Sequence, residues 1–489
     1  MANSVRHHWA IITFLAIFTL FFSYKIIAHQ TPFYDWDESI YIELGKEMVH
    51  NHSFVPTWEG KVWLDKPQLV PLFYGLVMQL TPFMPAEVST RLATLYLSVV
   101  ALYLVYKLYN TIVKEKYLTT VMVVMTAFTP IFLQRAQVVN TDIFLLIGWV
   151  GYLLFYEKKY WGLVFLGIGI LSKSLLGFYP VALIAGMYTF QLAVKTITKK
   201  EYKKKLQHIG FHVGVLSIWY AVMFVFYGKA FWIQHIIESH TKRVTASIET
   251  HFGKRTFYFD VLLEQFKWVM IISVGGWLLF LKQWVDARKN LKKGANRENH
   301  DKHFLYANAL LPWFAFLNLT KTKIHWYIFP ALPQFPLLIL YPLTLLKKYK
   351  KWYFGILAVV CVAICYQALF KEKLQNYTYS KLEPHHILAQ EANTSCSAID
   401  LLVDRTGRET MQTLKDMDLT ITTSDWWGSH PSMMVYFNNK IDVYYDETAF
   451  FEQGGKNNHC MIVEEQDLPM LLNKQAILLK KEGDLLLFM

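Results

Sequence analysis

The residues best suited to chemistry in this 489-residue chain gather at the ends of apolar stretches. The segment "FYDWDESIYIELGKEM", starting at Phe33, sets Asp35, Asp37, Glu38 and Glu43 just past an apolar run that ends near Ile27. "WLDKPQ" supplies Asp65 and Lys66, and Arg135 and Asp142 bracket the polar turn in "QRAQVVNTD". Lys173 stands alone in "GILSKSLLGF", and His235, Glu238, His240, Lys242 and Arg243 follow Gly228 closely. Lys321, Lys323, His325 and Tyr327 crowd into "KTKIHWYIFPALP". Carboxylates of this kind can take a proton from a hydroxyl, and several cations together can hold a phosphate.

Each group also has a plainer reading. Asp37 and Glu38 could cap a helix, a contribution of about 1 kcal/mol. Lys66 could be a solvated lysine at a membrane surface, and Arg135 could anchor there with Asp142 as its ion-pair partner. Lys173 is harder to dismiss, because a lysine among apolar residues needs an anionic partner. His235 and His240 are five apart, off the i,i+4 spacing that sets two ligands on one face of an α-helix.

The elements that position these residues follow from composition. The chain is 54% hydrophobic and 18% charged, whereas a soluble domain has about a quarter of its residues charged. Apolar runs long enough to cross a bilayer recur up to about residue 370. They lie at Trp9–Ile27 and near 88–106, 117–134, 142–156, 160–172, 175–194, 208–228, 258–281, 304–319, 326–346 and 352–370. The first lacks a small-residue cleavage site and reads as a retained helix. The segment 68–84 is apolar too, but Pro71, Pro82 and Pro85 predict that it lies at the membrane surface or re-enters. With that choice, "KTITKKEYKKK", "KQWVDARKNLKKGANR" and "KKYKK" all fall on one side, which the positive-inside rule makes cytoplasmic. About eleven spans result, with the amino terminus inside and the carboxyl terminus outside. The net charge of +12 is then topogenic, and no basic face or binding motif points to nucleic acid.

After Lys371 the composition turns polar. The pattern predicts a small α/β domain on the outer face, residues 371–489, with strands near 418–423, 433–445 and 484–489. The transmembrane catalytic domain is then 1–370, its first outer loop 28–87 carrying juxtamembrane helices. Cys361 and Cys365 fall inside the last span as packing residues. Cys396 and Cys460 could pair in an oxidising compartment, and the sequence leaves that open. Trp426 and Trp427 in "SDWWGSHP" fit either an aromatic belt or an acceptor-binding surface.

With this topology the ionisable groups collect at one lipid–water boundary, and the middles of the spans hold almost none. An ion-coupled transporter usually needs charge near the midplane. A boundary site suits an enzyme whose substrate has a lipid tail and a polar phosphate head. The rival from another class is a lipid-linked-sugar flippase, which would move the lipid without breaking the sugar–phosphate bond.

"DWDESIYIELGKEMVHNHSFVPTWEGKVWLDKPQLVPLFYGL" resembles the first outer loop of GT-C membrane glycosyltransferases. It is most similar to the branch of the lipid A aminoarabinose transferases and protein O-mannosyltransferases. "QRAQVVNTDIFLL", "GIGILSKSLLGFYPVAL", "FWIQHIIESHTKR" and "LTKTKIHWYIFPALPQFPLL" resemble four further motifs in the same order. The carboxyl domain matches only loosely. The resemblance implies a helical polytopic fold and inverting transfer of a sugar from a polyprenyl phosphate, at the outer face of the cytoplasmic membrane. The acceptor would be a lipid or glycolipid, or else Ser/Thr of an exported protein. Asp37 falls on the catalytic carboxylate, with Glu38 and Asp142 in support. Lys66, Lys173, Arg135, Lys323 and Tyr327 fall on donor-phosphate positions, and Asp65 and His235 on the candidate ligands of a divalent cation. Asp65 replaces the family's Glu, Ser39 and Ile40 replace a commoner Arg-Tyr, and His325 stands where the aminoarabinose branch usually has Pro. These departures bear on the sugar and the acceptor more than on the type of reaction.

Overall fold

The computed structural model describes residues 2–58, 60–246, 251–291, 295–371, 381–416, 430–456, 458–470 and 476–489. The chain divides into two compact units. The first comprises Met1–Ala28, Arg91–Trp232 and Gly253–Thr378, and the second His29–Thr90, Ile233–Phe252 and Tyr379–Met489.

The first unit is helical. It contains α1 (Ala2–Ala28), and the helix labelled α4 runs into it from the second unit. Between these, in the second unit, fall α2 (Asp37–His50), strands β1 (Thr57–Trp58) and β2 (Lys61–Val62), and α3 (Leu69–Leu80); α4 is Ala86–Val113. The first unit continues with α5 (Lys116–Ala127), α6 (Pro130–Arg135), α7 (Asp142–Phe155), α8 (Lys159–Lys173), α9 (Tyr179–Ala193) and α10 (Lys199–Phe231). The helix α7 is apolar all round, and its residues from Asp142 to Leu153 are all buried. It crosses α8 at Gly148 and Gly169, where a Cβ on Gly148 would sit 2.6 Å from the Gly169 Cα.

Among the described residues, six helices are long and apolar enough to cross a membrane, or seven if the bent pair His325–Ala331 and Gln334–Lys348 counts as one. The eleven expected runs exceed that number for visible reasons. The run 117–134 is interrupted after Ala127, and α5 and α7 are 12 and 14 residues long. Such helices are shorter than the ~20 residues a straight crossing needs. The runs 160–172 and 175–194 form one continuous stretch, Lys159–Ala193, through a 3₁₀ turn at Ser174–Phe178.

In the second unit the apolar segment 68–84 forms α3, only 12 residues long. It packs along α2 rather than standing alone. The two backbones nearly touch, since a Cβ on Gly45 would lie 2.4 Å from the Pro71 carbonyl oxygen and one on Gly75 2.3 Å from that of Gly45. Small residues are what allow two helices this approach.

The carboxyl part of this unit carries a five-stranded sheet of order β4-β3-β5-β7-β6. Its strands are β3 (Ala398–Leu402), β4 (Lys440–Tyr444), β5 (His459–Glu464), β6 (Leu478–Glu482) and β7 (Leu485–Phe488). β3 pairs in parallel with β4 and β5, and β7 runs antiparallel to β5 and β6. The whole of "AIDLL" in β3 is buried, as expected of a parallel strand covered on both faces. Leu402, Phe450, Met461, Val463, Leu486 and Phe488 form the core. Cys396 and Cys460 form a disulfide, with their Cα atoms 5.5 Å apart.

The predicted strand 433–445 is shortened. Met433–Tyr436 is a helical turn that buries Met433 and Met434, and the strand begins only at Lys440, after Asn438 and Asn439. The predicted strand 418–423, and Trp426 and Trp427, lie outside the described residues.

Candidate active site

The first unit builds one charged group around a single carboxylate. Arg135 ends α6 and Asp142 opens α7. The turn between them is shaped by Asn140, whose Nδ2 donates to the carbonyls of Arg135 (2.6 Å) and Val138 (2.7 Å). Its Oδ1 accepts the Ile143 N–H at 3.0 Å. Arg135 Nη2 then lies 2.8 Å from Asp142 Oδ2, while Lys173 Nζ, at the end of α8, donates to Oδ1. Asp142 is 1%, Arg135 6% and Lys173 8% exposed. The group thus brings two cations onto one buried carboxylate.

Aromatic faces complete the surroundings. The Arg135 guanidinium lies 5.1 Å from the Trp326 ring centre, and Lys173 Nζ lies 5.1 Å from that of Tyr327. Lys323 is also buried, but its ammonium donates to the carbonyls of Leu317 (2.8 Å) and Asn318 (3.1 Å), ending the helix Leu311–Leu319. Two of its three N–H groups are thus spent, and burial pulls its pKa below the ordinary lysine value.

The second unit arranges its carboxylates differently. Glu38 Oε2 accepts the Tyr34 N–H at 2.9 Å, so this buried side chain holds the loop ahead of α2. Asp35 Oδ1 accepts the Ser432 N–H at 2.9 Å, and its Oδ2 lies 3.0 Å from His430 Nδ1. The Phe33 N–H donates to the Tyr436 hydroxyl at 2.8 Å, and that hydroxyl donates to Glu87 Oε1 at 2.7 Å. Between Asp35 and Asp37, Trp36 adopts φ 69° and ψ −127°, backbone that a residue with a side chain rarely takes. Asp37 itself is half-buried at the first position of α2.

Asp65 and Lys66 form an ion pair at 3.2 Å, and Ser239 donates its hydroxyl to Asp65 Oδ1. His235 is fully buried, and its Nδ1 lies 2.8 Å from the Leu64 carbonyl. A carbonyl only accepts, so Nδ1 carries the proton and Nε2 keeps a lone pair. The segment Trp232–Lys242 is a π-helix, a wider coil in which residues five apart come together. His235 and His240 therefore meet with ring centres 5.6 Å apart, which α-helical spacing would not allow.

Sequence reasoning did not foresee the histidines that meet Asp35. His385 and His386 belong to the helix Pro384–Ala392, and His430 precedes the turn Met433–Tyr436. Burial first, then the neighbouring imidazoles, hold His385 down to about 3, while burial holds His386 at about 4. Burial raises the pKa of Asp35, but the hydrogen bond and charge of His430 and the Ser432 contact outweigh it and leave it below the usual carboxylate value.

The comparisons agree with the motifs. Residues 65–224, roughly a third of the chain, match the family model described as dolichyl-phosphate-mannose-protein mannosyltransferase. The crystal structure of ArnT from Cupriavidus metallidurans bound to undecaprenyl phosphate superposes with a TM-score of 0.62. That match covers 98% of this chain and 97% of ArnT at 12% identity. This is the GT-C fold. The archaeal oligosaccharyltransferase AglB from Archaeoglobus fulgidus, in complex with an inhibitory peptide and a dolichol-phosphate, shares it at TM-score 0.57 and 12% identity. There the match covers 95% of this chain and 70% of AglB. A further crystal structure of the Archaeoglobus oligosaccharyltransferase, with Zn and sulfate, matches at TM-score 0.55 and 12% identity over 93% of this chain and 68% of that one. No curated protein sequence matches the chain. The resemblance to GT-C glycosyltransferases, drawn from five motifs, therefore holds at the level of fold, and two of these neighbours, ArnT and AglB, were solved with undecaprenyl phosphate and a dolichol-phosphate respectively.

Proposed function

We propose that the protein is an inverting glycosyltransferase that moves a sugar from a polyprenyl phosphate to a lipid or glycolipid acceptor at the outer face of the cytoplasmic membrane. The observation that carries this reading is the buried Arg135–Asp142–Lys173 group, two cations brought onto one carboxylate, on a fold shared end to end with ArnT. Asp37 takes the proton of the acceptor hydroxyl as that oxygen attacks the anomeric carbon. The bond from that carbon to the phosphate oxygen breaks, and the pair of electrons leaves with the polyprenyl phosphate. Lys66, Arg135, Lys173 and Lys323 meet the charge that develops there, and Tyr327 supplies a hydroxyl donor. Glu38 and Asp142 support these groups by holding the α2 loop and the two cations. The amino terminus is cytoplasmic, and the carboxyl domain lies outside.

Asp65 and His235 would hold a divalent cation through a carboxylate oxygen and an imidazole nitrogen, ligand types that suit a borderline metal. Two protein ligands leave positions for phosphate oxygens, and a cation there would add positive charge near the donor head.

One observation favours a second acceptor. The matching family model is that of enzymes acting on proteins, so Ser/Thr of an exported protein remains the alternative. The test is turnover. Purified protein in nanodiscs is given polyprenyl-phosphate sugars extracted from native membranes, with glycolipid and peptide acceptors in separate reactions. Mass spectrometry follows loss of the charged lipid and release of free polyprenyl phosphate, beside an Asp37→Ala control. Conversion that vanishes in the control supports the reading. Lipid that binds but stays intact with every acceptor would replace the enzyme with a flippase.

A further inference from the structure

The geometry points to a transition-metal site, fitted to zinc, formed by Asp35, His385 and His430 of the second unit. One ligand atom from each of the three lies within 4.8 Å of the others. His430 Nδ1 stands 3.0 Å, and His385 Nε2 3.7 Å, from Asp35 Oδ2. Ligand atoms around a tetrahedral zinc stand about 3.3–3.6 Å apart, as bonds of about 2.0–2.2 Å require. The observed spacings straddle that range.

Hydrogen bonding accounts for only part of the arrangement. At 3.7 Å, His385 Nε2 is too far from Asp35 to bond to it directly, yet both atoms point into the same space. The His385 and His430 rings stack face to face, with centres 3.9 Å apart and planes 8° from parallel. Stacked this way, both rings turn a nitrogen towards the same Asp35 oxygen.

The surroundings are those of a metal site as well. Asp35 Oδ1 is held by the Ser432 N–H, which turns Oδ2 towards the histidines. Glu383 Oε2 stands 3.7 Å from His385 Nδ1, beyond hydrogen-bonding reach. The Ser432 hydroxyl sits 3.1 Å from His385 Nε2 and 2.9 Å from His386 Nε2. Two nitrogens and one oxygen suit Zn²⁺ and disfavour Mg²⁺ or Ca²⁺, which prefer oxygen shells. Three protein ligands leave a fourth position for water or an incoming oxygen.

A second three-residue group, Asp400, Asp442 and His459, competes less well. Lys440 Nζ already pairs with Asp442 Oδ1 at 2.5 Å, and the Gly455 N–H occupies Asp400 Oδ2 at 2.9 Å.

The site's role follows from its place in the chain. Asp35 lies two residues before Asp37, with the strained Trp36 between them. An ion joining Asp35 to His385 and His430 fixes the loop that leads into α2, and this holds whatever reaction Asp37 serves.

The experiment uses the full chain in detergent with any affinity tag removed, stripped with EDTA, reloaded with Zn²⁺ and assayed by inductively coupled plasma mass spectrometry. His430→Ala and Asp35→Asn should each hold about one zinc fewer than the unaltered protein, while His235→Ala and Asp400→Asn keep that ion. Equal zinc in His430→Ala and the unaltered protein overturns the assignment, as does loss confined to His235→Ala or Asp400→Asn. Should His430→Ala fail to fold, Co²⁺ titrated into the His235→Ala chain decides. Visible ligand-field bands that saturate near one equivalent and are displaced by Zn²⁺ support the site, and their absence removes it.

Discussion

The two units handle charge in opposite ways. In the first, the buried carboxylate of Asp142 is gripped by Arg135 and Lys173 together. In the second, Asp35, Glu38 and Asp65 are each held by backbone N–H groups, hydroxyls, imidazoles or a single lysine. One arrangement buries two cations beside a shared counter-charge. The other spends carboxylates on shaping a loop and leaves Asp37 half-buried at the start of a helix. The lesson is that acidic residues with similar sequence surroundings divide into counter-charges and braces, with Asp37 the proposed base, and substitution separates the three.

The largest expected effect falls on Asp37. Asp37→Asn should lower turnover about 10³-fold, the scale of losing a general base, with the melting temperature close to that of the unaltered protein. Normal turnover would remove Asp37 from the chemistry. Asp142→Ala should do the reverse in kind. It strands two buried cations and should cost about 3–5 kcal/mol of stability, seen as a large drop in melting temperature in detergent. Substituting Lys173 together with Asp142 should restore part of that loss, and no restoration would break the contrast between the units.

A smaller effect tests the second unit through pH. The folded pKa values of His385 and His386 lie below that of free imidazole, so the unfolded chain binds more protons as pH falls from about 6.5 towards 4. In protein stripped of metal, stability should fall across that window by about 1.4 kcal/mol per pH unit for each ring, and should not change on their account above it. His385→Gln with His386→Gln should flatten the slope of melting temperature against pH. The smallest effect concerns the α2–α3 crossing. Gly45→Ala would push a Cβ against the Pro71 carbonyl and should cost about 1–3 kcal/mol. A neutral result would show that α2 can shift without loss.

Much of this was legible in the sequence where the signal is local. Lys173, solitary among apolar residues, demanded an anion, and Asp142 supplies it. The prolines of 68–84 argued against a spanning helix, and α3 is too short to be one. The chemistry of the second unit was not legible, because His385 and His430 reach Asp35 across hundreds of residues with no periodicity to connect them. The π-helix at His235 was equally hidden, since the sequence suggests only the α-helical period. "MMVYFNNKIDVYY" alternates like one strand, but burial of Met433 and Met434 in a helical turn outweighs that preference.

The bond between His430 and Asp35 joins residues 395 apart in the chain. At the usual pace of synthesis, about 5–20 residues per second, α2 waits roughly 20–80 s after it emerges before its partner exists. During that interval the carboxylates ahead of α2 have none of the contacts that orient them. A nascent chain halted before residue 430 would therefore carry its apolar helices but not the brace on the Asp35 loop. The His430 contact to Asp35 therefore forms only after most of the chain has been made.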